Sequence, residues 1–375
     1  MKMTFITLLI FSSTTSFAGP VLQMNRAFNA VMELIPFFIS EDQFKEKKNE
    51  AVIKSNLQEL GTAFKLAGHD NLIKHDLFAP SYQLLSDDIN EMTKAFEEGK
   101  KDYAHWIMKE TITLCMDCHG RLPKSVTSSF QNGELTVDQK KVHTPYEMGL
   151  TYMIVRRFVE AKQSFTRDIQ DNIIKKDFSK IIPTMKHILM IETKIKRDPG
   201  TMISIIEDYN RKNTFPPYIS QELESWKKRL INWKNDKFIS GISNESELRQ
   251  FIKKRLIPLK RNGVNNDAFE VDLLLASGLI SNYFFENQES PSAPEIGMWL
   301  GWMEKRLKKD EFMSSGDLFL KQCIRKYPKH PVAKECLAEY RESIEFDFTG
   351  SGGTSIPKEV NEEYQKLEDL VYPKK

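Results

Sequence analysis

The sequence predicts an all-α protein, an N-terminal four-helix bundle followed by α-helical hairpins. Two observations carry that reading. Apolar residues recur at three- and four-residue steps through most of the chain, which is the period of one helix face. Turn-forming stretches such as Phe215-Pro216-Pro217 and Tyr327-Pro328 divide the periodic segments, with prolines where helices begin and glycines where they end.

The first eighteen residues read as a secretory signal. Lys2 supplies the positive start, Phe5 to Phe11 is apolar, and Ser16-Phe17-Ala18 places small residues where a signal peptidase reads them. Cleavage after Ala18 would leave Gly19-Pro20 as the new terminus. The apolar run is too short to span a bilayer, no Cys follows it to carry a lipid, and no later segment is apolar for long enough to cross a membrane. The expectation is an exported, periplasmic protein without an integral membrane segment.

Four helical patterns fill residues 20 to 120. The first runs from Pro20 to Leu34 with Leu22, Met24, Phe28, Val31 and Met32 apolar, and Pro36 disturbs it. The second runs from Lys47 to Leu66 on Ile53, Leu57, Leu60 and Phe64. The third starts at Pro80, carries Tyr82, Leu85, Ile89, Met92 and Phe96, and ends at Gly99. The fourth runs from Asp102 through His119 with Ile107, Met108, Ile112 and Cys115 on one side, and Gly120 and Pro123 stop it.

The chemistry-bearing motif closes that fourth pattern. Cys115-Met116-Asp117-Cys118-His119 has the spacing of covalent haem c attachment. Helix positions i, i+3 and i+4 share a face, so two thiols can add to the two vinyl groups of one porphyrin while the neighbouring imidazole reaches the iron. Covalent attachment is matured outside the cytoplasm, so signal and motif support each other. Two other readings compete. A thioredoxin-like redox pair would need a βαβ context, and nothing upstream of Cys115 resembles a strand. A zinc site would need a fourth ligand such as His105, and an exported protein rarely uses one.

Four helices with the motif at the end of the last one resemble the cytochrome c′ and cytochrome c556 family, over roughly residues 20 to 125. The resemblance implies one haem bound through Cys115 and Cys118, with His119 as the proximal iron ligand. It also implies that the first helix covers the distal face, with a Met there in low-spin members and an apolar residue in high-spin ones. Met24 occupies a suitable first-helix position, and Met/His ligation raises a reduction potential. The competing role for Met24 is plain core packing. Met32, two turns on, is the second candidate. Met108 shares its helix with His119 and cannot easily reach the opposite haem face, while His69 and His75 lie in the loop after the second pattern. Arg121 is a candidate propionate partner, as basic residues after the motif are in many relatives, or a cap on the helix C-terminus. Relatives often dimerise through their first two helices, so a homodimer is an expected state.

Residues 126–143 form a polar linker. Amphipathic helices follow from Tyr146 to Ile169 and from Lys180 to Lys196. Another starts near Ser220, with Leu223, Trp226, Leu230 and Trp233 on one face. A second set covers Ser246 to Ile257, Ala268 to Phe285, Ile296 to Lys308, Ser315 to Tyr327 and Pro331 to Ile344. The domain division expected is 19–125, 144–238 and 239–349, with Gly350 to Gly353 as a flexible hinge before a final helix from Pro357 to Leu370. Lys326-Tyr327-Pro328-Lys329-His330-Pro331 resembles the punctuation of tetratricopeptide-type repeats, although the full repeat consensus is absent. Stacked hairpins would offer a curved surface for protein contacts. The alternative is an irregular helical domain that supports the bundle. Cys323 and Cys336 flank the Tyr327-Pro328 turn, which suits a disulfide between antiparallel helices, with two buried thiols as the alternative.

The formal net charge of +2 argues against a nucleic-acid binder. No hydrolase signature, phosphate-cradling loop or helix with paired metal-binding His is present, so no enzymatic activity is expected. The sequence therefore predicts periplasmic electron transfer by one covalent haem, with redox partner proteins and a helical docking region. The competing readings are a gas-binding module with an open iron site and a scaffold stabilised by its haem.

Overall fold

The computed structural model describes residues 20–67, 76–121, 144–154, 156–262, 268–287, 289–307, 316–356 and 358–373. The protein is all-α, and among the described residues only one two-residue strand pair interrupts the helices.

Four long helices open the chain. Helix α1 (Pro20–Ile39) runs past the expected stop at Pro36. Proline deletes one helical hydrogen bond, but Ser40 still donates its backbone N–H to the Pro36 carbonyl at 3.0 Å. Burial of Ile35 and Phe37 offsets the loss. Ser40 then caps the short α2 (Glu41–Lys45), its hydroxyl accepting from the Gln43 N–H at 3.3 Å. Only Phe44 of α2 is buried, too little for a periodic signal. Helix α3 (Glu50–Ala67) follows, then α4 (Ala79–Glu97) and α5 (Lys101–Arg121). Gly99 at φ 77° closes α4. The Lys100 N–H bonds the Ala95 carbonyl at 2.9 Å and the Gly99 N–H bonds that of Phe96 at 3.1 Å, a paired C-terminal cap. Helix α5 extends through Gly120, one residue past the expected stop. Helices α1, α3, α4 and α5 pack side by side, each against its neighbours.

The helix expected from Tyr146 to Ile169 is two. Helix α6 (Pro145–Ile154) and α7 (Phe158–Lys175) are separated at Arg156, φ 59°. The break lets the Phe165 ring lie on Gly149, where a Cβ would fall 2.4 Å from it. A continuous helix would hold those two positions about 24 Å apart. Helix α8 (Ile181–Met190) continues into a π turn (Ile191–Ile195). Helix α9 (Pro199–Lys212) has no counterpart among the sequence-predicted elements. Its start is set by Asp198, whose carboxylate accepts from the Thr201 N–H at 2.9 Å, followed by Pro199 in the first turn.

Helix α10 (Pro217–Lys234) is followed by α11 (Glu245–Phe251), a second π turn (Ile252–Leu256) and α12 (Ile257–Asn262). Helix α13 (Phe269–Glu286) is buried on nearly every side and forms the centre of the C-terminal half. It approaches the first π turn so closely that a Cβ on Gly278 would lie 2.3 Å from the Lys194 carbonyl oxygen. Helix α14 (Ala293–Arg306), α15 (Gly316–Lys326) and α16 (Val332–Asp347) follow. Cys323 and Cys336 form a disulfide between α15 and α16, their Cα atoms 6.4 Å apart.

The segment expected to be a flexible hinge forms a tight two-strand turn. Strands β1 (Thr349–Gly350) and β2 (Gly353–Thr354) pair antiparallel, Gly353 takes φ 102°, and Ser355 donates its N–H to the Phe348 carbonyl at 2.9 Å. Helix α17 (Lys358–Val371) ends the chain. One contiguous apolar core runs from Ala27 in α1 to Leu367 in α17, so the four N-terminal helices share a core with those that follow. No helix among the described residues is long and apolar enough to cross a membrane.

Candidate functional site

The buried stripe of α5 consists of Ala104, His105, Ile107, Met108, Thr111, Ile112, Leu114 and Cys115. Cys115 is 9% exposed and is the last member of that stripe with a described side chain. The backbone stays helical through Cys118 and His119, so positions 115, 118 and 119 fall one above another on a single face. The side chains of Cys118, His119 and Arg121 lie outside the described residues, as does that of Met24.

Backbone register shows what surrounds this end of α5. The His105 Nε2 lies 3.0 Å from the Phe37 carbonyl oxygen and 3.2 Å from that of Phe38. Carbonyls only accept, so this nitrogen carries the proton and donates to both. Nearby, Lys101 donates to the Lys45 carbonyl at 3.2 Å, and Lys45 pairs with Asp102. The end of α1 thus meets the start of α5, and the two helices run antiparallel. Fourteen residues on from His105 is His119, and fourteen back from Phe38 is Met24. At 1.5 Å per residue both walks cover about 21 Å, so positions 24 and 119 stand at the same level.

The hairpin at Gly99 gives a second registration. Twenty residues to either side of it lie Ala79 and His119, so the start of α4 shares the level of the motif. Helix α3 ends there too, since the Tyr82 hydroxyl donates to the Phe64 carbonyl and the two rings stack at 5.8 Å. This end of the helix group is therefore walled by Phe64, Leu77, Phe78, Ser81 and Leu85, all buried. Positions 115, 118 and 119 thus share one helix face at the same level as this buried apolar group.

The other candidates separate clearly. Met32 is half-buried and packs against Ile35, which Met148 and Tyr152 of α6 also cover; it lies eight residues or about 12 Å along α1 from position 24. Met108 is core on α5. His105 is committed to the α1 carbonyls and stands ten residues, about 15 Å, before Cys115, so it cannot complete a zinc site there. His69 and His75 lie outside the described residues. Cys323 and Cys336 pair with each other, which settles their structural role. Among the described residues no three His, Cys, Asp or Glu side chains gather as they would around a metal ion.

Two buried polar groups carry no recognisable sequence signal. His187 is fully buried against Phe165, ring centroids 4.9 Å apart, with its Nε2 2.9 Å from the Tyr146 hydroxyl. Burial pulls its pKa down to about 4 and pushes that of Tyr146 up. Further on, Lys194 of the first π turn lies 2.8 and 2.9 Å from the two carboxylate oxygens of Glu304, which also accepts from the Ser277 hydroxyl. Both sit within apolar helical stripes, where a sequence shows only an isolated polar residue.

No protein-family model, curated protein or solved structure matches the chain.

Proposed function

We propose that the chain is an exported c-type cytochrome that transfers electrons through one haem bonded to Cys115 and Cys118, with His119 as proximal ligand. The observation that carries this reading is the helical continuity of α5 through residues 115 to 119, which turns a sequence spacing into one chemical face. Bound there, a haem supplies a one-electron ferric/ferrous couple.

The chain's own residues have three tasks. The two cysteines fix the group and His119 sets the proximal field. Phe64, Phe78 and Leu85 exclude water from one side, and a low-dielectric surround raises the cost of the charged ferric state. Met24 is the proposed distal ligand, favoured over Met32 because it shares the level of His119 while Met32 stands about 12 Å further along α1. Arg121, one turn past Cys118, remains the proposed propionate partner.

The C-terminal helices are proposed as stacked hairpins of the tetratricopeptide kind that receive a partner protein. In support, α7 and α9 flank a cleft of about 860 Å³, lined by Lys162, Thr166, Ile173, Thr201, Ile205 and Lys212. Absorption spectra of protein matured in a periplasm, oxidised and reduced, with and without carbon monoxide, test the reading. A low-spin ferrous c-type spectrum that carbon monoxide alters slowly supports it. A chain without haem absorbance overturns it.

A further inference from the structure

We propose that the cleft between α7 and α9 takes an extended acidic segment of a partner protein, with an aliphatic side chain at its centre and a carboxylate towards each end. This rests on the proposed docking role of the C-terminal helices and names the chemistry of what docks. The cleft of about 860 Å³ is open to solvent and is lined by one stripe of each helix, Thr166, Gln170 and Ile174 on α7 and Thr201, Ile205 and Asp208 on α9. Lys234, the last residue of α10, stands at one end. A Cβ on Gly200 would lie 3.8 Å from its Cε, so it hangs over the start of α9. Lys212 closes α9 and marks the other end. From Gly200 to Lys212 is twelve residues, about 18 Å along the helix. An extended chain covers that distance in about five or six residues.

Charge selects an acidic occupant. Lys234 has no ion-pair partner among the described residues. The carboxylates that line or back the cleft are already shared. Glu192, 1% exposed, takes both Lys162 and Lys196, at 2.9 and 3.0 Å. Asp208 takes both Arg211 and Lys212, at 2.6 and 2.8 Å. Asp198 accepts from the N–H and the hydroxyl of Thr201. Cations therefore outnumber the carboxylates that answer them, and the field in the cleft favours a ligand of the opposite sign. Apolar surface selects the aliphatic centre. Ile205 lies between the levels of the two lysines, and Ile173 and Ile174 share the cleft with it, Ile174 being 79% exposed. The backbone of the occupant has a task as well. The Tyr209 hydroxyl is buried in the cleft wall, and beyond a loose approach from Thr166 no partner meets it. A carbonyl of the bound segment would accept from it. One extended segment supplies all of these, with carbonyls along its length and side chains to alternate sides.

The test titrates the full exported chain, reduced and labelled on its isoleucine methyl groups, with three synthetic octapeptides. One carries two Glu five residues apart with Leu between them. The second has Lys in place of Glu, and the third has Ala in place of Leu. We expect the first to shift the methyl signals of Ile173, Ile174 and Ile205 and to bind about tenfold more tightly than either of the others. Its affinity should fall as salt rises, because the charged contacts are screened. Lys234→Glu, at an exposed position, should weaken the first peptide about tenfold and strengthen the second. Ile174→Ser, also exposed, should shrink the advantage of Leu over Ala. Equal affinities for the acidic and basic peptides would overturn the proposal, as would shifts confined to other isoleucines. Tighter binding of the basic peptide in the cleft would overturn the acidic chemistry and keep the docking role. Should no peptide move the three methyl signals, the proposal and docking at this cleft fall together. Haem content and spectrum stay the same in every one of these cases, so the haem reading is tested separately.

Discussion

The imidazole of His105 donates from one nitrogen to the carbonyl oxygens of Phe37 and Phe38, and this contact sets the antiparallel register of α1 and α5. It satisfies carbonyls of the last turn of α1, which have no helical donor of their own, and it does so from a buried position against Phe44, ring centroids 5.2 Å apart. The level shared by Met24 and His119 descends from this one anchor.

Replacing His105 with Phe keeps much of the volume and removes the donor. We expect a loss of about 2 kcal/mol, the cost of leaving buried carbonyls without their hydrogen. Urea unfolding of the variant measures it, and an unchanged midpoint would show that the anchor carries no stability.

His187 makes stability depend on pH. Its folded-state pKa is depressed from 6.5 to about 4 by burial, so the unfolded chain takes up its proton first. The contribution is fully present above pH 6.5 and is lost as pH falls from there through 4. Over that window we expect His187 to account for about 3 kcal/mol of the decline. Unfolding free energies at several pH values should fall more steeply towards acid for the wild type than for His187→Phe, the difference between them changing by about 3 kcal/mol between neutral pH and pH 4. Parallel curves would contradict the assignment.

The Lys194–Glu304 pair is enclosed by α13 and α14, with Glu304 0% exposed. Glu304→Leu strips a buried ammonium of its compensating charge and should cost about 3–5 kcal/mol. Adding Lys194→Met should restore much of that loss, because a buried pair exchanged for apolar groups is often neutral. A double variant as unstable as the single one would show that the pair is worth more than its desolvation.

These buried groups mark the boundary of what sequence reasoning reaches. Helices with one-sided periodicity, such as α3 on Ile53, Leu57, Leu60 and Phe64, are legible because the apolar stripe and the burial coincide. The cysteine pair at 323 and 336 is legible from its place either side of a turn. The break at Arg156 is not, because it is demanded by Phe165 seating on Gly149, a contact between positions a single helix would separate. Helix α9 is masked by its opening Pro199-Gly200, which reads as a turn until Asp198 is seen to cap it. The two π turns leave no trace either, since an inserted residue shifts the stripe without breaking it. Of the candidate site, the spacing of residues 115, 118 and 119 is legible at once. The level of Met24 needed the His105 anchor, which a sequence presents only as one more helical histidine.

If Met24 ligates, Met24→Ala opens a coordination position. The ferric spectrum should turn high-spin, the potential should fall, and carbon monoxide association should rise at least about tenfold, as the competent fraction of iron goes from minor to complete. Spectra and rates identical to the wild type would assign position 24 to packing. The same comparison on Met32→Ala should show no spectral change.

The account stands most directly on the peptide that spans residues 115 to 119. Mass spectrometry of that peptide, from protein exported through a compartment that matures c-type haem, is predicted to show the added mass of one haem and no reactive thiol. An unmodified peptide whose two cysteines alkylate freely, or bridge to each other, would contradict it.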